Sequence, residues 1–410
     1  MARRTLLAAV LASTFLPSAC SAGGQKGTAA DLLDAEDVEF ALRVVSLQGS
    51  VPQEWPVHWS KVVKGRTRLK LERRGQLLEI YQDLPLKGRT GKAASKSAAT
   101  ADAITLGDAW LAPAIRDGLI QPIPDALSSS WWKALPPRWR SLVRRDNQGL
   151  PSADGDVWAA PYRWGCTLIA ANNRLLQRQG ATPIRDWSDL LQPALKGRIA
   201  FVDAPRELVG VALRTLGASM NASSQQLQRM GITQQRLSHQ LNRLRAQIAF
   251  FSSQDHTHAL LAGRVSVCVG SSGDLLPLSA RSSNVSLVAP ASGTALHADL
   301  WCCPAHAGES TQMLQAPSLL LPVWLDFTLQ PHRSATARGL LNGGAPPRLL
   351  PEAAPQQAGM HDAADVLDLA AGGLPSRGVL ARSEFLLPQD ENTVEMQWDA
   401  LHPLYERNRL

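Results

Sequence analysis

Beyond its first twenty residues, the chain of 410 residues has no uninterrupted apolar run long enough to span a bilayer. It also has no Gly-x-Ser-x-Gly turn, no phosphate-binding glycine loop and no His-Glu-x-x-His helix. The first absence excludes an integral membrane body, and the others leave the main catalytic motifs unrepresented. Because 45% of the residues are apolar, the chain is nevertheless able to build a globular core, and we predict a protein that is not an enzyme.

The positive charge is not organised for nucleic acid. The formal net charge is +7, but Lys and Arg are scattered and no zinc-finger, helix-turn-helix or RNA-binding signature accompanies them. We therefore predict no nucleic-acid partner. The local clusters Lys64 to Arg74 and Arg138 to Arg145 are interpreted as solvated faces or a surface for a protein partner.

Cysteine is scarce, and its spacing identifies no pairs. Apart from Cys20 there are four cysteines, of which Cys166 and Cys268 lie inside apolar, strand-like runs where a buried thiol is expected. A bridge between the neighbours Cys302 and Cys303 would strain the backbone that joins them. We predict no bridge between these two neighbours and no catalytic thiol.

The amino terminus has the layout of an export signal. Arg3-Arg4 is followed by the apolar run Leu6 to Leu16 and, after small residues, by Cys20. This arrangement resembles a bacterial lipoprotein signal, which implies that residues 1–19 are removed, that Cys20 carries lipid and that residues 20–35 form a tether. The expected location is the periplasm, anchored to a membrane. Secretion without lipid is the alternative.

Strand and helix patterns then alternate, which predicts an α/β fold with a largely parallel sheet. A second unit of the same kind begins near Trp158, so two lobes with a cleft between them are expected. The predicted strands are Ala41–Leu47, Arg68–Leu71, Ala103–Leu106, Thr167–Asn172, Ile199–Val202 and Arg264–Val269. The predicted helices are Trp55–Val63, Gly75–Tyr81, Leu111–Gly118, Arg174–Gln179, Arg206–Leu216 and a long region, Gln225–Phe251, interrupted at Gly231.

Several motifs follow one another in an order typical of one family. They are Gly107-Asp108-Ala109-Trp110-Leu111-Ala112-Pro113, Trp158-Ala159-Ala160-Pro161-Tyr162-Arg163-Trp164-Gly165, Asp203-Ala204-Pro205-Arg206-Glu207, Val269-Gly270-Ser271-Ser272-Gly273-Asp274 and Gly293-Thr294-Ala295-Leu296-His297-Ala298-Asp299. With these motifs, the chain resembles the spermidine/putrescine substrate-binding component of bacterial ABC transporters over roughly Ala41 to Asn408.

The resemblance implies a type II-like periplasmic-binding-protein fold, in which each lobe is a mostly parallel sheet flanked by helices and the solute binds between the lobes. It places residues 36–160 and 300–372 in lobe 1, and residues 161–299 and 373–410 in lobe 2. The implied partners are a small polyamine-like solute and an ABC permease in the membrane. No cofactor is implied, and a monomer is expected.

A polyamine joins ammonium groups through methylenes, so its binding site needs carboxylates and aromatic walls. By position in the motifs, the resemblance makes Glu207 and Asp299 the ammonium partners, with Asp203 as a supplementary charge. It makes Trp110 an aromatic wall. Glu207 has a structural alternative as the acid of a helix first turn, and Asp299 as a turn cap.

Five further candidates complete the predicted site: Asp108, Tyr162, Trp164, Ser272 and His297. Tyr162 and Trp164 either cover the methylenes or pack a hinge. His297 stands where the family has an aromatic residue, and as a neutral ring it would tolerate a cation.

Other family aromatics are absent from this chain, at Leu47 to Ser50 and at Ser271. The alternatives are therefore the same fold with another small solute, such as an amino acid, or a lipoprotein scaffold without a transport role. His256-Thr257-His258 has the spacing of some metal sites, but no third ligand is placed beside it, and we predict no metal.

Overall fold

The computed structural model describes residues 40–63, 67–84, 98, 100–305, 320–329, 340, 344–353, 365–367 and 373–406. The predicted signal at residues 1–19, the predicted lipidation site Cys20 and the predicted tether at residues 20–35 lie outside these described residues. Within the described ranges, none of the helices combines the length and the apolar character that crossing a membrane requires.

The described part of the chain contains fourteen strands. They are β1 (Phe40–Leu47), β2 (Thr67–Arg74), β3 (Ala103–Gly107), β4 (Ile120–Gln121), β5 (Arg144–Arg145), β6 (Asp156–Val157), β7 (Ala159–Asn172), β8 (Ile199–Phe201), β9 (Ile248–Phe251), β10 (Val267–Ser271), β11 (Val285–Ala289), β12 (Ala295–Pro304), β13 (Asp365–Val366) and β14 (Glu384–Phe385).

Fourteen α-helices lie in the same ranges. They are α1 (Trp55–Val62), α2 (Leu77–Gln82), α3 (Asp108–Arg116), α4 (Ser130–Ala134), α5 (Pro137–Val143), α6 (Asn173–Arg178), α7 (Pro205–Thr215), α8 (Ser224–Arg229), α9 (Gln234–Gln247), α10 (His256–Leu261), α11 (Ser272–Arg281), α12 (Leu321–Leu329), α13 (Arg377–Arg382) and α14 (Glu391–Glu406). Short 3-10 turns occupy Ala126–Ser128, Trp187–Leu191, Pro193–Leu195 and Pro347–Leu349.

One mixed sheet of twelve described strands organises the fold, and its main path runs β2-β1-β3-β12-β7-β10-β8-β9. At one end β1 is parallel to β2 and β3, and at the other end β8 is parallel to β9 and β10. The antiparallel strands β7 and β12 join these two parallel units. This is the predicted α/β architecture with two lobes.

The long strands β7 and β12 connect the lobes. The first half of β7 pairs with β12, whereas its second half, from Thr167 onward, pairs with β10 and β11. The end of β12, from Asp299 onward, pairs with β3. The connection between lobes therefore runs through a continuous strand pair, and the residue boundaries predicted for the two lobes stay predictions.

Gly165 lies where these two strands pass each other, opposite His297 in register. A Cβ at Gly165 would collide with the His297 ring and would come within 2.8 Å of the Ser272 hydroxyl. Close approach of a ring and a hydroxyl to the backbone is what requires glycine here. Any larger residue would push the strands apart at the connection.

One apolar core contains packed aromatic rings. Trp59 lies 5.3 Å from Trp324 and 5.4 Å from Phe327 between ring centroids, and Trp301 lies 5.6 Å from Trp324. Such edge-on arrangements are favourable for aromatic pairs. A second apolar core surrounds Trp187 and helices α7 and α9.

The structure corrects one predicted element and one predicted surface. The end of the predicted helical region, Ile248 to Phe251, is the strand β9, because its apolar residues pair in parallel with β8. The cluster Arg138 to Arg145 is not a solvated face. Arg138 donates to backbone carbonyls, including that of Leu380 at 3.1 Å, and Arg145 is buried and donates to the carbonyl of Leu142.

The four described cysteines are buried free thiols. Cys166 and Cys268 lie in the adjacent strands β7 and β10, as their apolar surroundings predicted. Burial raises the pKa of each of these thiols, so they stay protonated at neutral pH. They contribute apolar packing at the core of the sheet.

Candidate functional site

Asp108 begins helix α3 immediately after β3, at the carboxyl edge of the sheet. Its Oδ1 accepts a hydrogen bond of 2.9 Å from the backbone N–H of Ala298, which fastens the start of the helix to β12. Burial, with a smaller contribution from the charge of Asp299, raises the pKa of Asp108 to about 7. Its carboxyl group is therefore divided between protonated and ionised forms near neutral pH.

Asp299 lies in β12 and faces Arg163 of β7 in register. Both Nη2 and Nε of Arg163 approach the same carboxylate oxygen, Oδ2, at 2.5 and 2.6 Å. The side chains of Arg163 and Asp299 are only 14% and 11% exposed. The carboxylate that the resemblance assigns to a solute ammonium is thus ion-paired within the protein, and its role toward a ligand stays a prediction.

Glu207 lies in the first turn of α7, two residues after Pro205 begins the helix. Its Oε2 accepts a hydrogen bond of 2.7 Å from the hydroxyl of Thr167 on β7. Burial raises the pKa of Glu207, and the hydrogen bond from Thr167 offsets part of that rise. Among the described residues, no Lys, Arg or His forms an ion pair with Glu207.

His297 and Ser272 both approach Gly165, where the strands connect the lobes. The Ser272 hydroxyl accepts a hydrogen bond of 3.2 Å from the backbone N–H of Cys166. Burial lowers the pKa of His297. The charges of Asp299 and Asp274 oppose this shift, and the charge of Arg163 reinforces it. Because its pKa lies below the ordinary value, the His297 ring is neutral at pH 7.

The predicted aromatic residues divide into two groups. The Trp110 ring is half-buried and lies 4.6 Å from the Tyr81 ring between centroids. Tyr162, in contrast, is buried, stacks on Trp301 at 4.2 Å and hydrogen-bonds the Thr105 hydroxyl at 2.9 Å. Tyr162 therefore has the packing of a core residue.

Trp164 is also in the core in this conformation. It is 1% exposed, and its Nε1 donates to the carbonyl of Pro346 at 2.9 Å. These contacts favour the hinge-packing interpretation of Tyr162 and Trp164. Asp203, four residues before Glu207, is exposed on the loop that follows β8.

Most candidates meet where β7 and β12 connect the lobes. Hydrogen bonds and strand register link Asp108, Asp299, His297, Ser272 and Glu207 to this connection. The two carboxylates differ in their charge partners, because Asp299 pairs with Arg163, whereas the described residues give Glu207 a hydroxyl partner and no ion pair.

Sequence reasoning missed Arg163, Thr167 and Tyr81. A signal for Arg163 was present, since it is the only charged residue in the fourteen-residue strand β7, whose other side chains are almost all buried. A charge inside such a strand needs a partner. Thr167 and Tyr81 have no comparable signal, because only tertiary contacts bring them to Glu207 and Trp110.

The described residues contain no group of three or more His, Cys, Asp or Glu side chains placed to hold a metal ion. Within His256-Thr257-His258, His256 is buried and His258 is exposed, so the two rings do not face one position. The arrangement of carboxylates, hydroxyls and aromatic rings is instead suited to holding an organic cation.

Two proteins of Escherichia coli (strain K12) are similar in sequence. The putrescine-binding periplasmic protein PotF is 27% identical over 233 residues, which are 54% of this chain and 60% of PotF. The spermidine/putrescine-binding periplasmic protein is 24% identical over 206 residues, which are 50% of this chain and 54% of that protein. The chain thus spans little more than half the length of these curated relatives.

The fold is also found in a solved structure, the spermidine/putrescine ABC transporter substrate-binding protein PotD of Streptococcus pneumoniae. The TM-score is 0.62 at 18% identity, and the match covers 90% of this chain and 99% of PotD. This likeness establishes the fold of a periplasmic binding protein. A profile of the family described as bacterial extracellular solute-binding protein matches residues 99–346, which is more than half of the chain. The chain therefore belongs to the bacterial extracellular solute-binding protein family.

Proposed function

We propose that this protein binds a linear amine of the polyamine class outside the cytoplasm and delivers it to the permease of an ABC importer. The observation that carries the proposal is Glu207, a half-buried carboxylate that accepts a hydrogen bond from the Thr167 hydroxyl and has no ion-pair partner among the described residues. Withdrawing an anion from water without a countercharge is costly. A solute ammonium would supply that countercharge.

The remaining groups complement the rest of such a solute. Trp110, backed by Tyr81, offers an aromatic face to an ammonium or to methylenes. The neutral ring of His297 adds no opposing charge, and the exposed Asp203 adds a negative one. Asp108 contributes negative charge when it is ionised.

The names of the sequence relatives support the amine class. PotF is a putrescine-binding protein, and the second relative binds spermidine or putrescine by its name. In the proposed cycle the lobes close on the solute, and only a solute that binds the closed form more tightly shifts the protein toward it. We further propose a periplasmic monomer anchored by lipid at Cys20.

The test is a calorimetric titration of the purified protein with putrescine and spermidine, after unfolding and refolding have removed any solute carried from the cell. We expect saturable binding at one site and a rise in melting temperature. A ligand at a hundred times its dissociation constant stabilises the folded state by about 2.7 kcal/mol.

The matched control is 1,4-butanediol, which has the four-carbon chain of putrescine but no ammonium. It is expected to give neither heat nor stabilisation. If both amines behave like the diol, the proposal of an amine-binding protein is wrong.

A further inference from the structure

At the Asp299 end of the candidate site, Arg163 makes the contacts that a solute ammonium would make. Its Nη2 and Nε donate to Oδ2 of Asp299, and its Nη1 donates to the carbonyl of Gly49 at 3.1 Å. Gly49 belongs to the loop that follows β1, so the guanidinium extends from the connecting strand to lobe 1. A cation with a carboxylate and a carbonyl as acceptors is the environment expected for a bound ammonium.

The chain holds Arg163 in this place. Backbone hydrogen bonds of 2.8 Å join Trp164 and Ala345 in both directions, which brings the preceding Gly344 against the Arg163 side chain. Gly344 has a φ of 148°, and a Cβ there would collide with Cγ of Arg163. Only glycine lets this segment cover the stem of the arginine. The ion pair is therefore a fixed feature of the fold.

The two ends of the site consequently carry different net charges. The charges of Arg163 and Asp299 cancel, whereas Glu207 and the exposed Asp203 have no ion-pair partner among the described residues. Oδ1 of Asp299 is left for a hydrogen bond, but the ion pair itself contributes no net charge. Asp108, which accepts a hydrogen bond from the N–H of the neighbouring Ala298, adds negative charge at this end only when it is ionised. The Arg163–Asp299 pair therefore offers no countercharge to a further ammonium group.

We propose that Arg163 is a selectivity residue that replaces one ammonium group of the solute, so that the site prefers a diamine to a triamine. This inference rests on the proposed function as an amine-binding protein. The third ammonium of a triamine would come close to the guanidinium, and like charges repel strongly in a site of low dielectric. A diamine leaves the ion pair undisturbed.

The experiment compares the affinities for putrescine and spermidine, by calorimetry, in four forms of the full chain. These are the wild type, Arg163→Gln, Arg163→Lys and the double variant Arg163→Gln/Asp299→Asn. The wild type is expected to bind putrescine at least tenfold more tightly than spermidine. Arg163→Gln frees the Asp299 carboxylate, so we expect the ratio to move at least tenfold toward spermidine.

The other two variants separate charge from shape. Arg163→Lys keeps the positive charge, and the double variant removes both charges of the pair, so each leaves the net charge of this end unchanged. Both are expected to keep the preference for putrescine. If Arg163→Gln alone does not fold, the double variant still provides a folded protein without the guanidinium, because it leaves no unpaired carboxylate. The affinity ratio of the wild type tests the inference in any case.

Two results would overturn the inference while leaving an amine-binding protein in place. One is a wild type that binds spermidine as tightly as putrescine. The other is a folded Arg163→Gln variant whose ratio equals that of the wild type. If no variant binds either amine, the proposed function itself fails, and this inference fails with it.

Discussion

The two carboxylates of the candidate site differ in how the protein treats their charge. Asp299 is paired with Arg163 at 2.5 Å, so its charge is already neutralised. Glu207 is half-buried and accepts a hydrogen bond of 2.7 Å from the Thr167 hydroxyl, and its withdrawal from water raises its pKa. Of these two carboxylates, only Asp299 has an ion-pair partner among the described residues.

This difference suggests separate roles in the proposed function: Glu207 would bind an ammonium group, and the Arg163–Asp299 pair would set the preference between amines. An internal ion pair gains little from an added ammonium, whereas a half-buried carboxylate without an ion-pair partner gains a countercharge when an ammonium binds. Family resemblance alone assigns the same role to both residues. The contacts of each residue assign them different roles.

The largest expected effect comes from Asp299→Asn, which leaves the Arg163 guanidinium without its carboxylate. Removing one partner of a buried pair is strongly destabilising, and we expect a loss of about 3 kcal/mol in the free energy of unfolding. Chemical denaturation measures this loss. The double variant Arg163→Gln/Asp299→Asn should recover much of it, and a double variant as unstable as the single one would contradict the pairing.

The next effect concerns Glu207→Gln. We expect it to weaken putrescine binding by about 100-fold, because a hydrogen bond to a charged group is worth roughly 1.5 to 3 kcal/mol. The free energy of unfolding should not fall, since burial disfavours the ionised form. Calorimetry and denaturation measure the two quantities, with the exposed Asp203→Asn as the matched control, which should weaken binding far less.

The same variant tests the structural alternative for Glu207. If its charge acts only on the dipole of helix α7, the substitution would lower stability by about 0.3 to 1 kcal/mol and leave the affinity unchanged. That result would remove Glu207 from the site.

A smaller effect is expected from pH through Asp108, whose pKa is about 7. Only the ionised carboxylate attracts a cation, so affinity should rise about tenfold as the pH increases from 6 to 8. The folded pKa lies above the unfolded value, so the same group lowers stability as pH rises from about 4 toward 7. In Asp108→Asn, which retains the acceptor for the Ala298 N–H, both dependences should be much weaker.

Titrations at several pH values, in buffers of different ionisation enthalpy, also measure the protons released on binding. Release of about half a proton at pH 7 is expected for the wild type and close to none for Asp108→Asn. An affinity that is flat between pH 6 and 8 would show that Asp108 does not face the solute.

The smallest effect is expected from Thr167→Val, which removes the hydrogen bond to Glu207 and keeps the shape of the side chain. The pKa of Glu207 should rise further, and putrescine affinity should fall about fivefold, or about 1 kcal/mol. Calorimetry measures the change. Thr294→Val is a control of the same chemistry, since the Thr294 hydroxyl bonds the carbonyl of Thr167 instead of a carboxylate.

Local pattern predicted most elements of the fold. Short apolar runs placed β1, β3, β8 and β10 within a few residues of their observed bounds, because such runs are a property of neighbouring residues. It was wrong at Ile248 to Phe251, where a helical pattern continues into residues that pair with β8. The partner strand decides the conformation of such a short apolar segment.

The family motifs by themselves predicted the chemical groups of the candidate site: Glu207, Asp299, Asp108 and the aromatic Trp110. They did not determine which carboxylate is neutralised, because Arg163 and Asp299 are 136 residues apart and meet only through the register of β7 and β12. The burial of Trp164 and the contact between Thr167 and Glu207 were decided in the same way. Charge compensation depends on distances across the fold, which a linear pattern does not contain.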